Sequence, residues 1–144
     1  MKSFFTRAAV CLFLVTGSAS VRAENLHMAR PAAPRSPVTL GVSSHWQGHR
    51  AYLSDFTNTV VREWNKAKAA SDLKVPPGSV VTVEIVLASD GNVGRIVSLR
   101  GDVGAEVKAL CQNALMAGHS YGRWTEAMIK DLGSSQEMEV TFHF

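Results

Sequence analysis

The sequence predicts an α+β domain in which two helices pack on one face of a three-stranded antiparallel sheet, in the order helix, strand, strand, helix, strand. Three observations predict this class. Apolar residues recur at helical spacing in two segments, and they alternate with polar residues in a Val-rich segment and near residue 144. An Asp-Gly pair follows the Val-rich segment, as in a β-hairpin. An apolar content of 46% excludes a disordered chain.

The first helix is predicted over residues 50–70. Its apolar stripe consists of Leu53, Phe56, Val60, Trp64 and Ala67. This spacing places the stripe on one helix face, and we expect Trp64 to be a core residue. The sequence Pro76-Pro77-Gly78 cannot continue a helix and predicts a turn.

Two strands and a second helix are predicted next. The first strand covers residues 79–87, and its core-facing side chains would be Val81, Val83, Ile85 and Leu87. Asp90-Gly91 predicts a tight turn with both residues at positive φ, and residues 93–99 form the returning strand. Asp102 is the expected N-cap of the second helix, which Gly118 would close.

The final strand is predicted over residues 136–144. Its apolar residues face the core and are Met138, Val140, Phe142 and Phe144. Its alternate residues lie on the open face and are Glu137, Glu139, Thr141 and His143. We expect this strand to be a sheet edge, so that these four residues form a partner-binding site at which an extended peptide adds a strand. The alternative is an ordinary edge strand that its acidic open face keeps from aggregating.

Residues 1–23 have the composition of an export signal. A basic start precedes the apolar residues 8–16, and Val21-Arg22-Ala23 fits the small-x-small pattern before a cut at Glu24. The apolar run is shorter than the ~20 residues of a membrane-spanning helix. We therefore expect a cleavable signal peptide, a periplasmic protein and no stable membrane anchor; an uncleaved anchor is the alternative.

The charge distribution argues against a nucleic-acid partner. The chain has 15 basic and 12 acidic residues. Three of the bases fall within residues 1–23, which hold no acid, so the remainder is neutral.

Residues 24–49 contain Pro31, Pro34 and Pro37 and are predicted to form an extended tether, which leaves residues 50–144 as the domain.

The residues that could carry chemistry are few. His45 and His49 have a spacing that suits one metal ion, but zinc needs three or four ligands, so we interpret them as solvated histidines of the tether. Cys111 lies beside the apolar stripe of the second helix and is interpreted as a packing residue. We therefore expect no enzyme, no catalytic residues, no metal and no cofactor.

Residues 52–144 resemble the C-terminal domain of the TonB/TolA energy-transducer proteins of the Gram-negative envelope. The resemblance rests on the order and spacing of Arg62-Glu63-Trp64, Pro76-Pro77-Gly78, Asp90-Gly91-Asn92-Val93, Arg100-Gly101-Asp102 and Met138-x-Val140-x-Phe142. It implies a periplasmic domain of two helices on three strands. Such domains contact outer-membrane receptors or other envelope proteins, often by pairing a peptide with the final strand.

Two functions follow as expectations. The preferred one is a non-catalytic periplasmic protein–protein interaction module that recognises a segment of an envelope or outer-membrane protein and is linked to transport across the envelope. The alternative is a secreted inhibitor or accessory subunit on the same small scaffold, unrelated to transport. The sequence leaves open the identity of the partner and the oligomeric state.

Overall fold

The computed structural model describes residues 36–118 and 120–144, and these residues form an α+β fold. Its elements in chain order are β1 (Val38–Gly41), a 3-10 helix (Ser44–His49), α1 (Arg50–Ala69), β2 (Val80–Ala88), β3 (Val93–Arg100), α2 (Ala105–Ala117), α3 (Glu126–Leu132) and β4 (Ser135–His143). The predicted class is confirmed. Its detail is wrong, because the described residues contain four strands and three α-helices. The predicted signal peptide, residues 1–23, lies outside the described residues.

The four strands form one antiparallel sheet in the order β1-β4-β2-β3. The final strand β4 pairs with β2 along its whole length and with β1 along residues 139–142. The expectation that the final strand is a sheet edge is therefore wrong over that stretch, because β1 already occupies its outer side. Among the strands of residues 36–118 and 120–144, the edges of the sheet are β1 and β3.

Residues 38–49, which the sequence analysis assigned to the tether, belong to the fold. They form β1 and the 3-10 helix, and both Val38 and Trp46 are buried. The strand is only four residues long, which is too short for alternation to distinguish it from an extended tether. The folded unit therefore starts before the predicted boundary at residue 50.

The helices α1 and α2 cover one face of the sheet. The buried strand residues on that face are Val38, Val81, Val83, Ile85, Leu87, Met138, Val140 and Phe142. Trp64 of α1 is 0% exposed, and its ring lies 4.9 Å from the ring of Phe142, which confirms it as a core residue. Cys111 of α2 is also buried, which confirms its interpretation as a packing residue.

The turn between β2 and β3 is longer than predicted. It spans four residues, from Ser89 to Asn92, where the sequence predicted a two-residue turn. Gly91 has φ +85°, and a Cβ on it would lie 2.4 Å from the carbonyl oxygen of Gly122. The Tyr121 N–H donates to the Gly91 carbonyl at 2.8 Å. This distant segment fixes the turn, which local sequence does not reveal.

The second helix begins later than predicted. Gly104 is its N-cap, whereas the sequence analysis placed the cap at Asp102. No side chain accepts a hydrogen bond from the first turn of α2. The preference of Asp for the N-cap position therefore did not determine where the helix begins. Gly118 ends the helix, as predicted.

Candidate functional site

The four residues predicted to bind a partner lie on the open face of the sheet, where each has a polar neighbour. Thr141 lies opposite Thr82 of β2, with 3.1 Å between their hydroxyl oxygens. The Nε2 of His143 lies 3.0 Å from the Thr39 hydroxyl of β1. The backbone pattern thus gives β4 the alternation that the sequence predicted, and these two side chains are paired within the domain.

Each of the two glutamates of this set forms an ion pair with an arginine of β3. A guanidinium nitrogen of Arg95 lies 4.0 Å from a carboxylate oxygen of Glu137. Arg100 donates to the Oε1 of Glu139. Both arginines reach across β2, which lies between β3 and β4. These pairs are solvent-exposed, so each contributes at most about 1 kcal/mol to folding.

The two edges of the sheet differ in their regularity. The pairing of β3 with β2 shifts register twice, and residues 94 and 97 have no partner opposite them. Such bulges bend an edge and discourage the addition of another strand. The pairing of β1 with β4 runs from Val38 to Gly41 without a shift. The outer side of β1 is therefore the more regular template for an incoming strand.

The backbone groups available on β1 follow from the antiparallel pattern. The His143 N–H donates to the Pro37 carbonyl at 2.8 Å, so residue 37 bonds toward β4. Because inward and outward residues alternate in such a ladder, residues 39 and 41 also bond toward β4, while Val38 and Leu40 turn their N–H and C=O groups outward. The Val38 N–H contacts the Ser36 hydroxyl at 3.4 Å. Leu40 thus presents the donor and acceptor at the middle of this edge.

Glu139 reaches this edge although it lies on the next strand. Gly41 has no side chain, and a Cβ built on it would lie 3.2 Å from the Oε2 of Glu139. The carboxylate therefore extends over Gly41, with its other oxygen accepting from Arg100. It borders a cavity of about 380 Å³ whose lining also includes Glu84 and Glu137. Three carboxylates thus lie beside the β1 edge on the open face, and two of them, Glu137 and Glu139, are paired with arginines of β3.

Two of the residues considered for catalysis or metal binding, Cys111 and His49, take part in packing or in an ion pair within the fold. Burial raises the pKa of the Cys111 thiol to about 12, so it is not the thiolate that a nucleophile requires. The Nε2 of His49 lies 3.0 Å from an Asp131 carboxylate oxygen, which links the start of α1 to α3. His49 is thus part of the fold, contrary to its interpretation as a tether histidine, while His45 is exposed. The described residues contain no group of three or more His, Cys, Asp or Glu side chains placed to hold a metal ion.

None of the helices within residues 36–118 and 120–144 is long and apolar enough to span a membrane. Comparison of the chain with protein-family models, with curated proteins and with solved structures finds no match.

Sequence reasoning missed the β1 edge. Glu139 was predicted as a partner-binding residue of an open strand, and the structure instead places its carboxylate over the neighbouring strand at Gly41. The signal in the sequence was the short run Val38-Thr39-Leu40, which alternates apolar and polar residues. Three residues of alternation do not identify a strand without knowledge of its partner.

Proposed function

We propose that this protein is a non-catalytic interaction module that binds an extended segment of an envelope protein by strand addition at the outer side of β1. The observation that carries the proposal is the combination, at one edge, of outward backbone groups on Leu40 and an acidic side chain, Glu139, extending over Gly41. Backbone bonds would supply affinity, and alternate side chains would supply selectivity. The outer side of β1 thus takes the place of the final strand as the proposed binding edge.

The chemistry of the partner follows from the carboxylates beside the β1 edge, above all the Glu139 oxygen that extends over Gly41. A side chain of the added strand opposite Gly41 meets no side chain on β1 and points toward the Glu139 carboxylate. A Lys or Arg at that position forms an ion pair there, and Glu137 adds negative charge nearby. The proposed partner is thus an extended segment with a basic residue on the face opposite the helices. The four residues proposed from the sequence keep a role as the surface beside the edge.

The setting is proposed to be the periplasm, with the function linked to transport across the envelope. Two observations support this setting. Residues 1–23 have the composition of an export signal. Apart from the short helix α3 between α2 and β4, the order α1-β2-β3-α2-β4 agrees with the order that the TonB/TolA resemblance implies. The additional strand β1 moves the free edge by one strand from the position that the resemblance suggested.

The first test selects binding peptides from a library of extended decapeptides against the folded domain, followed by hydrogen exchange with the tightest binder. New protection at Leu40, with a basic residue enriched at one position, supports the proposal. Protection confined to β3, or to residues 135–138 beyond the end of β1, contradicts it. A failure to select any peptide also contradicts it.

The second test compares two substitutions of one residue. Leu40→Pro removes the outward N–H without breaking a bond to β4, and Pro is tolerated on edge strands. Leu40→Ala shortens the same side chain but keeps the N–H. We expect Leu40→Pro to weaken peptide binding about two- to tenfold relative to Leu40→Ala, the range of one hydrogen bond. Equal binding by the two variants would argue against strand addition at β1.

The third test addresses the charge. Glu139→Gln should weaken the binding of the selected basic peptide by about two- to fivefold and leave the binding of a neutral version of the peptide unaffected. Glu137→Gln is the matched control, since Glu137 lies two residues beyond Glu139, the last residue of β4 that pairs with β1. A larger loss in the control than in Glu139→Gln would place the basic residue elsewhere.

A further inference from the structure

A small apolar groove lies on the side of the domain formed by the end of α1, the loop that follows it and α2. It has a volume of about 210 Å³. Its apolar walls are Leu73, Val75, Pro77, Leu110 and Phe144. Lys68 and Ser71 supply its polar lining. We call it the Lys68 groove.

The groove has a firm floor and an open rim. Val75, Leu110 and Phe144 pack against the hydrophobic core from outside. The Phe144 ring meets the buried ring of Trp64 edge-on, with 4.9 Å between centroids. Leu73 is 37% exposed and is not among the residues packed on the core. An apolar ligand in the groove would cover this exposed leucine together with the preformed apolar surface, and the removal of that area from water favours binding.

The charge at the rim comes from Lys68. Its ammonium nitrogen lies 5.7 Å from the centroid of the Trp64 ring. Among the described residues it forms no salt bridge, whereas Lys66, one half-turn earlier on α1, contacts Glu63 at 3.0 Å. Lys68 therefore supplies the lining of the groove with a cation that no acidic side chain of the described residues pairs with.

We propose that the Lys68 groove binds a small amphiphile with one aliphatic chain and one carboxylate, such as a medium-chain fatty acid. The chain lies against Leu73 and Leu110, and the carboxylate pairs with the Lys68 ammonium. The charge complementarity selects an anion, and the apolar walls select an aliphatic tail. The volume corresponds to about seven water molecules at ~30 Å³ each, so a short chain fills it. This site is separate from the β1 edge and does not depend on peptide binding there.

The test titrates the folded domain with hexanoate, octanoate and decanoate below their micelle concentrations, while methyl NMR shifts are followed. We expect saturable shifts at Leu73, Val75 and Leu110. Affinity should rise about fourfold for each added methylene until the groove is full. Octanoate should bind more tightly than octanol, and octylamine should bind least. Shifts elsewhere, no saturation with decanoate, or equal binding of octanoate and octylamine would refute the proposal.

Matched variants separate the headgroup contact from general electrostatics. Lys68→Gln should weaken the binding of octanoate about two- to fivefold, as expected for one exposed ion pair, and should leave the binding of octanol unchanged. Lys66→Gln removes the same charge two residues away and should have no effect. Leu73→Asn changes an exposed residue, so the fold is retained, and it should weaken octanoate and octanol alike. If both lysine variants weaken binding equally, the carboxylate is not held at Lys68, and an apolar side chain of a peptide becomes the better occupant.

Discussion

The two faces of the sheet differ in composition although the same strands supply both. On β2, Val81 on the helix-covered face is 0% exposed, while its neighbour Val80 on the open face is 41% exposed. On β4, buried Val140 alternates with the polar pair partner Thr141. The buried side chains of the covered face are all apolar, whereas the open face holds hydroxyl and charged side chains in contact across the strands.

This difference separates stability from recognition. Apolar area removed from water stabilises the fold by about 25 cal/mol per Å², and that area lies on the covered face. Exposed polar pairs contribute little, so residues of the open face are free to change with the partner. Substitutions on the two faces should consequently differ in their effect on the free energy of unfolding. The following predictions test that separation.

The largest effect is expected at the centre of the covered face. Trp64→Ala should lower the free energy of unfolding by about 3–5 kcal/mol, because it empties a large aromatic site between α1 and β4. Urea denaturation followed by circular dichroism measures this change. If the variant unfolds like the wild type but no longer binds a selected peptide, Trp64 is a binding residue and the separation of the faces fails.

The sharpest comparison uses two adjacent valines of β2. Val81→Ala should cost about 2 kcal/mol, since it removes two buried carbon atoms and leaves a small cavity. Val80→Ala should stay within about 0.5 kcal/mol. The strand and the substitution are the same, so only the face differs. Equal costs at the two positions would show that the open face is covered in solution.

The covered face should also produce a pH dependence through Cys111. Burial raises the pKa of its thiol to about 12, above the ordinary value of about 8.5. Below pH 8.5 both states keep the proton and pH has no effect through this group. Above it the unfolded chain ionises while the folded chain does not, so stability falls by at most about 1.4 kcal/mol per pH unit.

Urea denaturation of the wild type and of Cys111→Ala at pH 7.5 and pH 9.5 measures this difference. The cavity left by the substitution costs the same at both pH values, so it cancels. Burial also raises the pKa values of Tyr52 and Tyr121, but both proteins share these residues. In addition, Cys111 should resist thiol reagents until the protein unfolds. A thiol that reacts in the native protein would contradict its burial.

The smallest effect is expected from a pair on the open face. Thr82→Val and Thr141→Val, alone and together, form a double-mutant cycle on the hydroxyl contact. We expect a coupling energy of about 0.2–1 kcal/mol, as for other cross-strand pairs. A coupling above 2 kcal/mol would show that the open face stabilises the fold as much as single core residues do.

The elements predicted correctly from the sequence are those with a long periodic pattern. The stripe from Leu53 to Ala67 predicted residues 50–70 for α1, which spans Arg50–Ala69. The alternation around Val81 predicted β2 to within one residue at each end. In both, burial on one side imposes a period that local sequence displays. The helix α3, of seven residues, offers only Met128 and Leu132 as buried positions, which is too little for a pattern.

The candidate site could be predicted only in part. Alternation correctly assigned Glu139 to the open face, because the period of a strand is local information. It did not give the neighbour of β4, because the choice of strand partner depends on residues far away in the chain. For that reason the sequence predicted β4 as the sheet edge, whereas the structure has β1 there. The sequence likewise did not reveal that Gly41 leaves room for the Glu139 carboxylate.

The pairing of β1 with β4 also has a kinetic consequence. Thr39 and His143, which contact each other across it, are 104 residues apart. Closing so long a loop costs conformational entropy, and a four-residue strand offsets little of that cost. We therefore expect β1 to join the sheet after the hairpin and the helices have formed. A chain that emerges from a ribosome or a translocation channel with residue 1 first holds β1 unpaired until β4 arrives. Once β4 has paired with β2, its outer side stays exposed until β1 joins it, and at this stage the molecule is most prone to aggregation.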